Sequence, residues 1–188
     1  MKTVTLFRHA KSGDKDNPNL DDFDRPLSDR GLKAAPKMGA ALRDRGVRPE
    51  LILCSPSVRT RQTLTLASAA AWDNPPAECF ETRIYEAGER TLLKLLRDCP
   101  EEADHVMLVG HNPGLQDLAV TFAQPGSAER HAIKDKLPTA AIVSFEFDAE
   151  AWNDLEPGEG RVRLFITPNT LPPIGQANTA PPYGQGQE

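Results

Sequence analysis

Five short apolar runs along the chain predict β-strands. They are rich in β-branched and aromatic residues and span residues 4–7, 51–54, 106–109, 142–147 and 162–166. Runs of this length and composition favour strands over helices. Because most of them are continuously apolar and do not alternate with polar residues, they suit a sheet that is covered on both faces.

Helical patterns separate most of these runs. Apolar residues recur at three- and four-residue spacings at positions 92, 93, 95 and 96, and again at 115, 118, 119 and 122, so each segment has one apolar face. A third helix is predicted to begin after Ser28 and to end near Arg45, before Gly46, with Pro36 as a point where it kinks or splits. Alternating strands and helices predict an α/β fold, a three-layer sandwich whose mostly parallel central sheet is flanked by helices.

Composition and charge narrow the class of protein. Of the 188 residues, 39% are hydrophobic and 26% are charged, which is typical of one ordinary soluble domain. No apolar run approaches the roughly 20 residues that cross a bilayer, and the N-terminus becomes polar too early for a signal peptide. We therefore expect no membrane association. The net charge of −5 argues against nucleic-acid binding but permits one compact cationic pocket.

The cysteines and the C-terminal segment add two expectations. Cys54, Cys79 and Cys99 are an odd number without the spacing of a metal site, so we expect packing residues, no disulfide or zinc site, and a cytoplasmic protein. Residues 169–188 are rich in Pro, Gly and Gln and poor in apolar residues. We therefore predict one domain over residues 1–168, followed by a tail that builds no core of its own.

Basic and titratable residues follow three of the predicted strands. Arg8 and His9 come directly after the first strand, Arg59 follows the second within five residues, and His111 follows the third. Open α/β sheets bind ligands at the carboxyl ends of their parallel strands. We therefore expect these four side chains to gather at one edge of the sheet.

The residues after the second and third strands predict helix starts. Ser55-Pro56 and Asn112-Pro113 each have the pattern of an N-cap followed by proline at the first helical position. Arg59 would then lie in the first helical turn, where a cation opposes the positive end of the helix dipole by about 0.3 to 1 kcal/mol. Backbone N–H groups and a guanidinium together bind phosphate well, so we expect an anionic ligand at this position.

Three motifs resemble those of the histidine phosphatase superfamily, which has the phosphoglycerate mutase-like fold. The motifs are Arg8-His9-Ala10, Ser55-Pro56-x-x-Arg59-x-x-Gln62-Thr63 and Gly110-His111-Asn112. The opening RHAKS and the later segment DRPLSDRG resemble the short branch of that superfamily, the SixA-type phosphohistidine phosphatases. The resemblance covers roughly residues 1–166, with Ala10 standing where much of the superfamily has glycine.

The resemblance implies a role for each motif residue. His9 would be the nucleophile that carries the phosphoryl group, and Arg8, Arg59 and a protonated His111 would hold that group without a metal or any other cofactor. Glu86 is similar in position to an acid of other members. It would either donate a proton to the leaving group or be an ordinary solvated residue.

Four further residues are candidates for the surroundings of the site. Arg25 and Lys11 would contact the substrate, or else Arg25 would pair with Asp24 or its acidic neighbours and Lys11 would be solvated. Ser12 and Thr139 would line the mouth of the site, or else serve as turn residues.

The function that the resemblance implies is a metal-independent phosphatase with a covalent phosphohistidine intermediate. Its partner would be a phosphorylated protein, such as a histidine phosphotransfer domain, or a small phosphorylated molecule. The lack of a sizeable insertion between the predicted elements favours an open site that admits a protein side chain. Two alternatives stay open: a phosphoglycerate mutase-type phosphotransferase, for which the chain is short, and a non-catalytic phosphate-binding module. The sequence does not indicate an oligomeric state.

Overall fold

The computed structural model describes residues 1–171, which form six strands and five α-helices. The strands are β1 (Lys2–Arg8), β2 (Leu51–Cys54), β3 (Ala77–Phe80), β4 (His105–Gly110), β5 (Ile142–Phe147) and β6 (Arg161–Ile166). The helices are α1 (Asp29–Asp44), α2 (Val58–Ala71), α3 (Glu89–Arg97), α4 (Gly114–Phe122) and α5 (Ala128–Asp135). The five predicted strands and the helices predicted around them are all present.

The strands form one mixed sheet in the order β3-β2-β4-β1-β5-β6. β1 pairs in parallel with β4, which pairs in parallel with β2, which in turn pairs in parallel with β3. On its other side β1 pairs antiparallel with β5, and β5 pairs antiparallel with β6. Five of these six strands therefore run in one direction, as the sequence predicted.

Both faces of the sheet are covered because side chains along a strand point alternately to its two faces. Leu6 of β1 and Leu108 of β4 belong to a buried cluster with α3, α4 and α5. Their neighbours Phe7 and Met107 belong to a second buried cluster with α1 and α2. The predicted three-layer sandwich is confirmed, and its helices leave the carboxyl ends of β1, β2 and β4 at one edge.

The start of α1 is as predicted. Ser28 is its N-cap, with Oγ accepting a hydrogen bond from the Gly31 N–H at 3.3 Å, which satisfies one of the free N–H groups of the first turn. The helix runs through Pro36 without being split.

Two elements have no signature in the sequence pattern. All four residues of β3 are exposed, so this edge strand lacks an apolar run. In α5, Ile133 is the one buried residue, so the helix lacks an apolar face. Cys79 lies in β3 and is exposed, which makes its predicted packing role wrong, whereas Cys54 and Cys99 are buried and all three are free thiols.

The last described residues return to α1. Lys37 donates from Nζ to the carbonyl oxygens of Pro168 and Leu171, at 2.7 and 3.2 Å, and the Leu171 side chain is buried. The rest of the predicted tail, residues 172–188, lies outside the described part, so that boundary stays a prediction. None of the helices within residues 1–171 has both the length and the apolar character needed to cross a membrane.

Candidate active site

A cleft of about 770 Å³ opens where β1, β2 and β4 end. It is lined by all nine side chains that the sequence proposed for the site or its mouth: Arg8, His9, Lys11, Ser12, Arg25, Arg59, Glu86, His111 and Thr139. Residues that are far apart in the sequence therefore meet around one cavity, which is the arrangement expected from parallel strands that end at a common edge.

His9 lies just beyond the end of β1 and is held from three sides. Its backbone N–H donates to the Gly110 carbonyl at 3.0 Å, and its own carbonyl accepts from the Ala140 N–H at 2.9 Å. Its ring Nδ1 lies 2.7 Å from the Ala10 carbonyl oxygen. A carbonyl can only accept a hydrogen bond, so Nδ1 carries the proton and the Nε2 lone pair is available for attack.

The protonation state of His9 suits a nucleophile. Burial is the main cause that lowers its pKa to about 4, and the charges of Arg59 and Arg8 lower it further, against the opposing hydrogen bond to Ala10. The imidazole is therefore neutral at neutral pH, with its orientation fixed by the Nδ1–H donor.

Arg8 and Arg59 each retain a buried donor. Arg8 donates from Nη1 to the Leu137 carbonyl at 2.8 Å, and Arg59 donates from Nη1 and Nη2 to the backbone carbonyl and the carboxylate of Asp22. The Nε–H of both arginines is buried without a partner. A buried donor left unpaired is unfavourable by about 1 to 3 kcal/mol.

The expected protonated form of His111 stays a prediction, because its surroundings in the cleft favour the neutral ring. Its Nδ1 lies 3.4 Å from Nη2 of Arg59, which can only donate, and its Nε2 lies 2.8 Å from Ser55 Oγ. Burial first, then the electrostatic effect of His9 and of Arg59, lowers its pKa to about 3. An anionic phosphoryl group beside it would favour the protonated form.

The helices after β2 and β4 begin later than predicted. The N-cap of α2 is Ser57 and that of α4 is Pro113, so Ser55 and Asn112 are not caps. The Ser55 hydroxyl is used by His111, and the Asn112 amide donates to the Leu137 carbonyl at 2.9 Å. Both side chains therefore brace the cleft, and the Asn112–Pro113 peptide bond is cis.

The end of the second motif ties the loops of the site together. Thr63 Oγ1 accepts from the Ala10 N–H at 3.0 Å and donates to the Arg59 carbonyl at 2.7 Å. Gln62 Oε1 accepts from the Leu27 N–H at 2.8 Å. The loop after β1 and the segment before α1 are thus both anchored to α2, which carries Arg59.

Two glycines permit a close approach of loops to helices. A Cβ on Gly31 would overlap the carbonyl oxygen of Lys11, and a Cβ on Gly114 would overlap that of Ala87. The first contact packs the loop that follows His9 against α1, and the second packs the loop that carries Glu86 against α4.

Backbone strain collects around the same cleft. Within residues 1–171, the residues other than glycine with a positive φ are Asp14 (53°), Glu86 (57°) and Ala140 (62°). Asp14 and Glu86 line the cleft, and Ala140 donates to the His9 carbonyl. Such conformations typically cost about 1 to 3 kcal/mol and cluster at functional sites. Glu86 is exposed.

Asp22 and Tyr85 are cleft residues that sequence reasoning missed. Arg25 pairs with Asp22, one of the acidic neighbours of Asp24 that were predicted as alternative partners, at 3.0 and 2.9 Å to Oδ1. The Tyr85 hydroxyl donates to the other oxygen, Oδ2, at 2.8 Å, and its ring meets His111 edge-on with centroids 5.5 Å apart. The three-residue spacing from Asp22 to Arg25 was a usable signal, but it lies in a segment that contains five aspartates.

Among the described residues, no three His, Cys, Asp or Glu side chains are grouped as a metal site.

Comparisons with known proteins agree on one family. A model of the histidine phosphatase superfamily (branch 1) matches residues 4–82. An uncharacterized protein of Mycobacterium tuberculosis is 34% identical over 155 residues, which is 81% of this chain and 93% of that protein.

Solved structures give the same result. A protein of Agrobacterium tumefaciens, assigned as the phosphohistidine phosphatase SixA, is 29% identical with a TM-score of 0.75, covering 88% of this chain and 97% of that one. The protein histidine phosphatase SixA in complex with tungstate has a TM-score of 0.67 at 23% identity, covering 89% and 97%, a similarity that concerns the phosphoglycerate mutase-like fold. This chain belongs to the histidine phosphatase superfamily, in its SixA-type branch.

Proposed function

We propose that this protein is a metal-independent phosphatase in which His9 forms a covalent phosphohistidine. The observation that carries the proposal is the pairing of complementary groups in one cleft. The Nε2 atom of His9 has a free lone pair, and two guanidinium groups beside it, Arg8 and Arg59, have buried Nε–H donors without partners. A tetrahedral phosphoryl group would accept hydrogen bonds from both arginines while its phosphorus meets the nucleophile.

The reaction has two displacements at phosphorus. In the first, His9 Nε2 forms a bond to phosphorus as the bond to the leaving group breaks, and the leaving group departs with the electron pair of that bond. Arg8 and Arg59 stabilise the charge on the equatorial oxygens, which is the main demand of phosphoryl transfer. In the second, water attacks the phosphohistidine, releases His9 and yields inorganic phosphate.

The substrate class that we propose is phosphohistidine in a protein, with small phosphorylated molecules as the second candidate. An imidazole leaves phosphorus readily without a strong proton donor, whereas an alkoxide needs one. In this cleft the candidate acid Glu86 is an exposed side chain. Two of the similar structures are described as SixA proteins with phosphohistidine or protein histidine phosphatase names, which supports the same class.

Trapping of the phosphoenzyme tests the mechanism. The wild-type chain is mixed with ³²P-phosphoramidate or with a ³²P-labelled histidine phosphotransfer domain and quenched within milliseconds. We expect a label that is lost in acid and retained in base, present on the wild type and absent from His9→Ala. His131→Ala is the matched control, because His131 is an exposed histidine of α5 outside the cleft, and it should retain the label.

Three results would contradict the proposal. They are a label that survives in His9→Ala, a label that is stable in acid and lost in base, as on a serine, and a loss of turnover in EDTA that a divalent cation restores.

A further inference from the structure

Asp22 has more polar contacts in the cleft than its exposed position requires. Arg59 donates to its backbone carbonyl from Nη1 and to its carboxylate Oδ2 from Nη2, the second at 2.9 Å. The same oxygen accepts from the Tyr85 hydroxyl at 2.8 Å, and Oδ1 accepts from Arg25 Nε and Nη2 at 3.0 and 2.9 Å. We call this group of four residues, centred on Asp22, the Asp22 clasp.

The clasp fixes the guanidinium of Arg59 in the cleft. Asp22 engages both terminal nitrogens of the guanidinium, while Nε–H stays buried and without a partner. A guanidinium held at two nitrogens cannot rotate about its own axis, so the positions of its remaining N–H groups are fixed before a ligand arrives. Groups held in this way stabilise a transition state without reorganising.

Asp22 lies outside the hydrophobic core. The short 3₁₀ helix Asp22–Asp24 has no buried residue, and the Asp22 side chain is 52% exposed. Burial acts to raise its pKa, but the hydrogen bonds from Tyr85 and Arg59 outweigh this effect and lower the pKa to about 2. Asp22 is therefore a carboxylate throughout the neutral range.

We propose that Asp22 is a positioning residue for phosphoryl transfer, which holds Arg59 through both terminal nitrogens and so fixes its guanidinium in the cleft where the phosphoryl group would lie. This inference rests on the proposed phosphatase function. It differs from a simple charge effect, because a carboxylate so close to an anion site would by charge alone weaken anion binding. Positioning and charge therefore predict opposite results when Asp22 is removed.

The experiment compares Asp22→Ala with Asp24→Ala. Asp24 belongs to the same 3₁₀ helix and carries the same charge, but it lies outside the cleft, so it reports the effect of charge alone. Tungstate binding is measured by calorimetry, and kcat and KM are measured with phosphoramidate. For Asp22→Ala we expect weaker tungstate binding and a kcat that is lower by about 10- to 100-fold, the size of effect that a small misplacement of a catalytic group produces. KM should change much less than kcat.

Further variants separate positioning from loss of structure. Asp22→Asn keeps an oxygen acceptor for Arg59, so it should recover part of the lost kcat. Asp24→Ala should bind tungstate at least as tightly as the wild type. Thermal unfolding should show that every variant stays folded at the assay temperature, with Asp22→Ala less stable than Asp24→Ala because it loses the contacts that lower the pKa of Asp22.

Two results would overturn the inference: tighter tungstate binding by Asp22→Ala than by Asp24→Ala, or equal kcat values for these two variants. A wild-type chain that binds tungstate but turns over no phosphoryl substrate would instead overturn the proposed function. The calorimetric comparison of the two alanine variants would still test the clasp.

Discussion

The two ends of β1 and β4 bury ionisable side chains in opposite ways. At the amino end, Lys2 is 1% exposed, and its ammonium donates to the carbonyl oxygens of Glu101 and Ala103 and to the Asp104 carboxylate, at 2.9, 3.3 and 2.9 Å. A lysine has three N–H donors, so each has an acceptor. At the carboxyl end, Arg8 and Arg59 are also largely out of solvent, yet the Nε–H donor of each has no acceptor.

The histidines repeat the contrast. At the amino end, His105 Nε2 pairs with the Thr5 hydroxyl at 2.8 Å, which pairs with the Ser144 hydroxyl at 2.7 Å. Burial lowers the pKa of His105 to about 4, against the charge of Glu50. This is the same value as for His9, whose Nε2 is free. The pKa alone therefore does not separate a structural histidine from a candidate nucleophile, whereas the hydrogen-bond partners do.

Buried polar atoms without hydrogen-bond partners distinguish the cleft from the rest of the protein better than burial alone does. Among residues 1–171, four buried side-chain nitrogen or oxygen atoms have no hydrogen-bond partner, and three of them belong to residues that line the cleft: Arg8 Nε, Arg59 Nε and Asn112 Oδ1. The fourth is Nε of Arg97 in α3. Since native proteins satisfy nearly all buried polar groups, this concentration distinguishes the residues around the cleft from the rest of the described chain.

The largest effect on activity is expected when Arg59 is replaced by methionine, and the same replacement of Lys2 is the comparison. Arg59→Met should lower kcat/KM by about 10³-fold, because the loss of one preorganised donor to the transition state costs this much. Lys2→Met should leave kcat/KM unchanged but lower the free energy of unfolding by about 1 to 3 kcal/mol, since buried carbonyl acceptors lose their donor. Initial rates and urea denaturation of both variants measure the two effects. A loss of activity in Lys2→Met equal to that in Arg59→Met would remove the distinction between the two ends.

A carboxylic acid at the cleft should matter according to the leaving group. Glu86→Gln should lower the rate on an alkyl phosphate by about 10²-fold, as is typical for loss of a general acid, and should spare phosphohistidine because imidazole leaves readily. Glu89→Gln is the control, because Glu89 does not line the cleft. Its carboxylate accepts a hydrogen bond from the hydroxyl of Thr121, a residue of α4, at 2.7 Å. Equal losses on both substrates would show that Glu86 does not act as the acid.

The residues at the carboxyl end could be predicted because strand ends and charge are visible in the sequence. An apolar run that stops at Arg8-His9, and another that stops before His111, identify the edge of a parallel sheet without knowledge of the packing. The sheet order, however, depends on contacts between distant segments. Its edge strand β3 is exposed at every position, so no hydrophobic pattern revealed it.

The hydrogen-bond partners could not be predicted in the same way. Ser55 and Asn112 have the side chains of good N-caps, but Ser55 Oγ pairs with His111. Asn112 donates its amide N–H groups to Gln116 and to the Leu137 carbonyl and leaves Oδ1, the atom that would cap, without a partner. Asp22 is one of several acidic residues in its segment. Its partners Arg59, in α2, and Tyr85 come from distant parts of the chain, so local sequence does not distinguish it from Asp21 or Asp24.

The pH dependence should show the low pKa of His9. Attack requires the neutral imidazole, so kcat/KM, corrected for ionisation of the substrate, should stay level down to pH 5 and then fall below about pH 4, by about tenfold per pH unit. A histidine with its ordinary pKa would cause that fall below about 6.5. An acid limb near 6.5 in the pH–rate profile would therefore contradict the buried environment described for His9.

The smallest effect should come from the paired histidine at the amino end. His105→Gln should leave kcat/KM unchanged and lower the free energy of unfolding by about 1 kcal/mol, the net value of one hydrogen bond. Since the pKa of His105 is about 4 in the folded chain and about 6.5 unfolded, the unfolded state binds more protons between these values, and stability falls as the pH is lowered from 6.5 to 4. Removing His105 should weaken that pH dependence of stability both with and without tungstate. His9→Gln should weaken it only without tungstate, because a bound anion raises the pKa of His9. If tungstate abolished the contribution of His105 as well, the two ends of the sheet would be coupled, and the separation between a satisfied end and a ligand-binding end would be wrong.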